Sequence, residues 1–484
     1  MKLLRPVAAV GSLLLLSLAG CAVPRPPESV ASEAPPRWYA PLPHGGNLAD
    51  LRRWWLQFDD PLLIDLIEAA QAANPNVATA ATRIAEARSA RVAANAARLP
   101  SVDATTSISR GNALAGGAGG AGGGGQGGLP ASTILQNNVQ LAWEVDVFGA
   151  RRSQSDAARA RERGAQAGWH DARVAVAAET ATTYVELRTC HLLVAVTRND
   201  ARSRAESARL TGLSAEAGFT APAVAAQARA SAAEGAARAT QQQAQCELVT
   251  KGLVALTGLP EPELRRRLAA GWDEPAGIAD RAIPSVPAAL LAQRPDVYLA
   301  ERNVAAASAD VGAARADRFP RVSLSGQIAT GWIRAGGQAS DIQTWQIGPL
   351  AVTLPIFDAG RRAAAEDAAQ ARYEEAVIQY GARVRQAVRE VEEALVNLES
   401  ARERSEDARA AVEGYRASFV AAEARFRSGL GSLIELEDQR RVLLNAETVL
   451  VTLQRERVAA WIALYRALGG GWERGDREAT ARND

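Results

Sequence analysis

The sequence has few of the residues that several common protein classes require. Of 484 residues, only 5% are aromatic, three are cysteine, three are histidine and one is methionine. The 55 basic side chains nearly balance the 54 acidic ones, which leaves a formal net charge of +1. A protein that holds nucleic acid through phosphate contacts needs a clear basic excess, so that class is excluded. No internal apolar run reaches the length of about 18 residues that a membrane-spanning helix needs, which excludes a polytopic helical membrane protein.

The residue patterns of common active sites are missing as well. His44, His170 and His191 do not have the spacing of metal ligands. The sequence contains no Gly-x-Ser-x-Gly motif, and its Gly-rich segment, 111–128, has no lysine to hold a phosphate. The sequence therefore predicts neither an enzyme nor a protein with a cofactor, a metal or a nucleic-acid partner.

The N-terminus predicts a lipoprotein signal peptide over residues 1–20. A short basic start precedes an apolar stretch, which ends in Leu18-Ala19-Gly20-Cys21 and resembles the bacterial lipobox. In a lipobox the cysteine becomes the first mature residue, so we expect N-acyl and S-diacylglycerol groups on Cys21. Ala22 stands where Asp usually marks retention in the inner membrane, which favours the outer membrane. An ordinary signal peptide with a chance cysteine is the alternative. The Pro-rich residues 21–60 predict an extended tether.

The remainder of the chain repeats itself at a spacing of about 210 to 220 residues. Arg98-Leu99-Pro100 corresponds to Arg318-Phe319-Pro320, and Gly218 corresponds to Gly429. The segment 146–152 corresponds in the same order to 356–362. We therefore predict two tandem repeats, 61–275 and 285–472, each with one helix, two strands and two long helices. A polar tail, 473–484, follows.

Alternating apolar and polar residues predict four strands, at about 100–110, 137–148, 320–332 and 344–357. We expect a register slip at Gly348-Pro349, and Trp332 and Trp345 near the hairpin loop. Such alternation suits a half-buried soluble strand or a membrane strand equally. Four strands cannot close a barrel and open edges are not tolerated in lipid, so spanning strands require several copies of the chain. Two copies would make a barrel filled by side chains, and three would leave a lumen.

Long stretches without proline predict two helices of about 60 residues, or about 90 Å each. Leucines spaced seven apart near the C-terminus are typical of coiled-coil packing. Cys190 and Cys246 lie at equal distances from Gly218, where the helical pattern breaks. An antiparallel hairpin would bring both sulfurs to one level, which predicts a disulfide in the oxidising periplasm. Two buried free thiols are the alternative.

Four segments in fixed order carry a resemblance to a known family: 55–63 (WLQFDDPLL), 143–149 (WEVDVFG), 290–297 (LLAQRPDV) and 464–472 (LYRALGGGW). With the lipobox and the repeats, they resemble the outer-membrane factor family of TolC-like export ducts, specifically the lipoprotein branch of resistance-nodulation-division efflux systems. The resemblance implies an α+β membrane protein, a homotrimer with a twelve-stranded transmembrane β-barrel, four strands per protomer, continuous with a long periplasmic α-helical barrel. It implies a passive outer-membrane duct for small molecules, with an inner-membrane pump and a periplasmic adaptor as partners. A type I protein-secretion duct and a non-conducting structural lipoprotein are alternatives.

The resemblance also implies a gate of acidic side chains just after the hairpin break of the second repeat. Glu435 and Asp438 match the gate positions, and three copies of these carboxylates would attract cations. The family's Tyr–Arg links are absent here, so we expect closure by packing at Phe426 and Leu430. A solvated acidic face that includes Glu437 is the alternative. The hairpin tips are implied adaptor contacts, although any helix turn uses glycine: Gly218, Phe219, Thr220, Gly429, Leu430 and Ser432.

Overall fold

A computed structural model of the protein describes residues 23–30, 60–111, 131–270, 294–335 and 337–472. The signal peptide with Cys21, most of the tether and the polar tail lie outside the described residues. None of the helices in the described ranges is long and apolar enough to cross a bilayer.

The predicted order of one helix, two strands and two long helices occurs twice in the described elements, and the first set has an additional short helix before and after it. The first set is α1 Pro61–Ala73, α2 Pro75–Ala96, β1 Ser101–Gly111, β2 Ser132–Val145, α3 Ala150–Glu216, α4 Pro222–Thr257 and the short α5 Glu261–Ala270. The second set is α6 Pro295–Ala316, β3 Arg321–Ala335, β4 Gln338–Thr353, α7 Arg361–Arg427 and α8 Leu433–Ala467. The long helices α3 and α7 have 67 residues each, as the stretches without proline predicted.

The predicted ends of β2 and β4 were wrong, because the strands end at Val145 and Thr353 and an aspartate that follows each strand caps the next helix. The strand β2 ends at Val145, and the carboxylate of Asp146 accepts hydrogen bonds from the backbone N–H groups of Arg151 (3.1 Å) and Arg152 (2.7 Å). Asp358 accepts from Arg362 N in the same way before α7. The segments that match between the repeats are therefore helix caps. At the other ends, β2 and β4 begin five or six residues earlier than predicted, at Ser132 and Gln338.

The chain forms two compact units, and the first contains the sheet. Its strands pair antiparallel in the order β1-β2-β3-β4, which leaves β1 and β4 as edges. Leu324 pairs with Leu350 but Gly326 pairs with Ile347, so the predicted slip at Gly348-Pro349 is confirmed.

One face of this sheet, the apolar face, exposes large apolar side chains. Pairing aligns Val102 with Leu141 and Gly326, and Val139 with Ile328 and Trp345. Trp345 is 74% exposed and pairs far from the β3–β4 turn, so only Trp332 lies near that turn as predicted. The opposite face, the polar face, carries mainly short polar or amide side chains, among them Ser101, Asp103, Thr105, Asn138, Gln140, Ser323, Gln327, Thr344 and Gln346.

The described part of the tether lies against helices of the same unit. Residues 23–30 form neither helix nor strand. The carbonyl oxygen of Pro24 accepts a hydrogen bond from Arg315 Nη1 (2.9 Å), and that of Pro26 accepts one from Ser308 Oγ. Arg25 pairs with Asp156 (3.2 Å). Residues 24–26 are therefore fixed against α3 and α6, close to the end of α6 that precedes β3.

The second unit has an apolar core of α1, α3, α4, α5 and α8 side chains. Asp60 caps the N-terminus of α1, and its carboxylate accepts hydrogen bonds from Tyr184 Oη (2.7 Å) and Arg188 Nη1 (2.8 Å). Burial and then this carboxylate raise the pKa of Tyr184. Cys190 and Cys246 lie in the same core, 4% and 1% exposed, and the structure joins them in a disulfide across the α3–α4 hairpin.

The same unit buries a second ionic group. Arg294 donates to Asp296 (2.8 and 2.9 Å), to Glu390 (2.7 Å) and to the carbonyl oxygen of Ala467 (2.8 Å). Burial opposes the charge of Asp296, but Arg294 holds the pKa of that carboxyl below its usual value. Burial and the neighbouring Asp296 raise the pKa of Asp171. Arg294 thus links the start of α6 to α7 and to the end of α8.

Candidate functional site at the helix turns

The turns that join α3 to α4 and α7 to α8 have the same construction. Gly218 (φ +80°) and Gly429 (φ +73°) adopt the left-handed conformation that favours glycine. The next residue donates its N–H five positions back, Phe219 to Ser214 O (2.9 Å) and Leu430 to Arg425 O (2.8 Å). Both turns therefore end a helix in the manner of a Schellman motif.

Each turn exposes one large apolar side chain. Phe219 is 86% exposed and Leu430 is 82% exposed. In a Schellman motif this position commonly packs on its own helix, but neither side chain does so here. Leu430, which we expected to close a gate by packing, is instead largely exposed in this chain.

A cleft of about 670 Å³ lies between the two turns, within the second unit. Of the predicted tip residues, Phe219, Thr220, Gly429 and Ser432 line this cleft, as does Phe426. Ser432 Oγ also accepts a hydrogen bond from Glu435 N (3.1 Å) and so caps α8. The structure thus brings the tips of both repeats together around one partly apolar depression.

The two predicted gate carboxylates lie at the start of α8, and each is paired with an arginine of the same chain. Glu435 pairs with Arg425 of α7, across the turn. Asp438 pairs with Arg441, one helical turn further along (2.6 Å). The side chains of Glu435 and Asp438 are 39% and 53% exposed. Because each carboxylate has a guanidinium beside it, the formal charge of the four groups is zero.

Glu437 does not belong to that exposed face, because it is part of a buried cluster that sequence reasoning missed. Arg204 donates from Nη1 to Glu437 Oε2 (2.7 Å) and from Nε to Asp200 (2.9 Å), while Arg440 pairs with Glu437 Oε1. Ser231 of α4 donates to Glu437 Oε2 (2.8 Å). We call Asp200, Arg204, Glu437 and Arg440 the α3–α8 ion cluster. Its two arginines are 5% and 3% exposed.

The surroundings of this cluster are shaped for it. Arg440 Nη2 donates to Ser207 Oγ (2.8 Å) and Ser203 Oγ (3.1 Å), both on α3. A methyl group on Gly235 would lie 2.8 Å from Cδ of Arg204, so glycine makes room for that side chain. Burial lowers the pKa of Arg440, although the negative charge of Glu437 acts to raise it. The sequence does show the two local pairs, because Asp200 lies four residues from Arg204 and Glu437 lies three residues from Arg440. Neither segment by itself indicates that the two pairs meet.

Comparisons with known proteins agree on one family. A family model described as outer membrane efflux protein matches residues 66–259 and 286–470. The pyoverdine export outer membrane protein OpmQ of Pseudomonas putida is 30% identical over 466 residues, covering 95% of this chain and 96% of that protein. The solvent efflux pump outer membrane protein SrpC of Pseudomonas putida is 28% identical, covering 95% and 97%. The solved outer-membrane channel OprN is 28% identical with a TM-score of 0.77, covering 93% of this chain and 99% of that one.

Proposed function

The chain belongs to the outer membrane efflux protein family, and from this premise we propose that three copies form one duct through the outer membrane. The protein is an outer-membrane component of an efflux system and not an enzyme. The duct passively conducts small molecules that an inner-membrane pump and a periplasmic adaptor deliver to it. The two repeats contribute equivalent parts and arose by tandem duplication.

The observation that carries this proposal is the two-sided sheet. From Val322 to Trp332 the apolar face extends ten residues along β3, or about 34 Å at 3.4 Å per residue. At the usual strand tilt of about 40° this is about 26 Å in height, close to the lipid-facing band of about 25 Å in a membrane barrel. The polar face then lines water.

The edges of the sheet support the number of copies. Because β1 and β4 run antiparallel, β4 of one copy can continue the same alternation with β1 of the next. Only closure of the sheet into a barrel leaves no unpaired strand edge in the lipid. Two copies would give eight strands and a filled interior, whereas three give twelve strands and a lumen.

The fixed tether supports the orientation and the lipid at Cys21. Cys21 lies three positions before Pro24, so an extended chain between them reaches about 10 Å at most. Pro24 is bound to Arg315, near the end of the sheet where the helices begin. Acyl chains on Cys21 therefore enter the periplasmic leaflet, and the β3–β4 turn faces the exterior.

The exposed tips support a role in docking and gating. Phe219 and Leu430 leave apolar surface uncovered beside the cleft, which suits an adaptor on the outer side and other copies of Leu430 on the axis.

The α3–α8 ion cluster holds α8 against α3 and so replaces the family's missing Tyr–Arg links in the closed state. Opening requires α8 to leave α3, which breaks this cluster.

Two adjacent substitutions on β2 test the proposal. Val139→Lys puts a charge in the middle of the apolar face, where a lysine in lipid costs about 2–4 kcal/mol in each copy. Gln140→Lys puts the same charge on the polar face. We expect the first variant to fail to insert and the second to insert and conduct less cation in planar bilayers. A monomeric, non-conducting wild type, or equal insertion of both variants, would refute the duct.

A further inference from the structure

The apolar face ends towards the β3–β4 turn in a row with two arginines. Pairing aligns Arg110 with Thr133, and Thr133 with Arg334. This row lies two residues beyond Trp332, a rise of about 7 Å along the strand. Both arginines are exposed. Two strand spacings separate their backbones, or about 10 Å.

Neither arginine has an ion pair within the described ranges of the chain. The 5.7 Å contact of Arg334 is with the ring of Trp332 on the same face. Asp341, which pairs with Trp332, is the nearest acid on this face by register, and it forms no ion pair with Arg334 in the described structure. The segment 112–130, which follows Arg110, contains no Asp or Glu. In the described residues of one chain, the row is therefore a pair of guanidinium groups without an acidic partner, at the border of an apolar surface.

We propose that Arg110 and Arg334 bind the phosphate groups of a phosphorylated glycolipid in the outer leaflet. This inference rests on the proposed function, which places this end of the sheet at the exterior. The arginine stems can follow the apolar face while the guanidinium groups reach the headgroup level. Guanidinium groups bind phosphate through two parallel hydrogen bonds, and the Trp332 ring beside Arg334 suits a membrane interface. Three copies would carry three such pairs around the barrel.

The test measures lipid binding to the full-length protein in neutral detergent by native mass spectrometry. The probes are lipid A with phosphates on both sugars and the same lipid without phosphates. We expect wild type to bind the phosphorylated lipid at least about tenfold more tightly, from charge-assisted hydrogen bonds. The double variant Arg110→Gln, Arg334→Gln should lose this preference.

Arg321→Gln is the matched control, because Arg321 lies on the same β3 strand at its opposite end, paired with Asp317 (2.8 Å). It should keep the wild-type preference. Equal binding of both lipids by wild type, or a preference that persists in the double variant, would overturn the inference. Conductance separates the two proposals: a wild type that conducts without preferring phosphate refutes only this inference, and one that does not conduct refutes the duct.

Discussion

Glu437→Gln is expected to favour the open duct, because Glu437 is the acid that both arginines of the α3–α8 ion cluster share. Without its charge, Arg204 and Arg440 remain buried with only Asp200, and the cluster changes from neutral to +1. Removing one partner of a buried ion pair costs about 3–5 kcal/mol. Glutamine keeps the shape and one acceptor, so we take the lower value of about 3 kcal/mol.

This energy shifts gating only if the cluster is intact in the closed state and broken in the open one. In that case, 3 kcal/mol raises the open-to-closed ratio about 160-fold in each protomer, at 1.36 kcal/mol per factor of ten. Single-channel recording in planar bilayers measures this as a higher open probability. If α8 and α3 move together, both states lose the same energy. The variant would then melt at a lower temperature with unchanged open probability, which would refute the proposed latch.

Two further variants control this experiment. Glu206→Gln removes a carboxylate from the same helix α3, but its partner Arg209 is exposed, so neither stability nor gating should change. The double variant Arg204→Gln, Glu437→Gln leaves Asp200 and Arg440 as a neutral pair. It should be less destabilised than the sum of the single variants, which would show that the two residues are coupled.

Three other predictions concern charge, pH and the disulfide. Glu435→Ala with Asp438→Ala leaves Arg425 and Arg441 unpaired, so each protomer gains two positive charges. Reversal potentials in a KCl gradient should then move towards anion selectivity, and unchanged potentials would mean that these residues do not face the conducted ions. Because folding raises the pKa of Asp171, the folded protein is stabilised while this carboxyl group is protonated. That stabilisation is present at low pH and is lost as pH rises through the folded-state pKa. Asp171→Asn should therefore raise the melting temperature at pH 7 and not at pH 3, whereas an equal effect at both would contradict the burial argument. Cys190→Ala with Cys246→Ala opens a loop with a sequence separation of 56 residues. It should cost about 4 kcal/mol of unfolding free energy, and unchanged stability, or free thiols in the wild type by mass mapping, would count against a bridge in the cell.

The parts of the fold that follow from local patterns were predictable. The alternation of apolar and polar residues predicted β1 and β3 to within a few residues. The Gly348-Pro349 pair predicted the register slip between β3 and β4. The end of β2 was misplaced because Asp146 follows the alternating pattern while its carboxylate caps α3. The α3–α8 ion cluster was not predictable in this way. Arg204 and Glu437 are 233 residues apart in sequence, so only the packing of α8 on α3 brings them together.

The acidic residues at the start of α8 thus have different roles, although they are adjacent in sequence. Exposed ion pairs contribute about 0–1 kcal/mol, so the pairs of Glu435 and Asp438 can set the charge at the proposed constriction but cannot hold it closed. The shared carboxylate of Glu437 is 18% exposed and contacts two buried arginines, so its loss is costly. Helix α8 exposes Asp438 on one face and turns Glu437, the preceding residue, towards α3. We therefore expect substitutions at 435 and 438 to change which ions pass, and substitutions at 437 to change how often the duct opens.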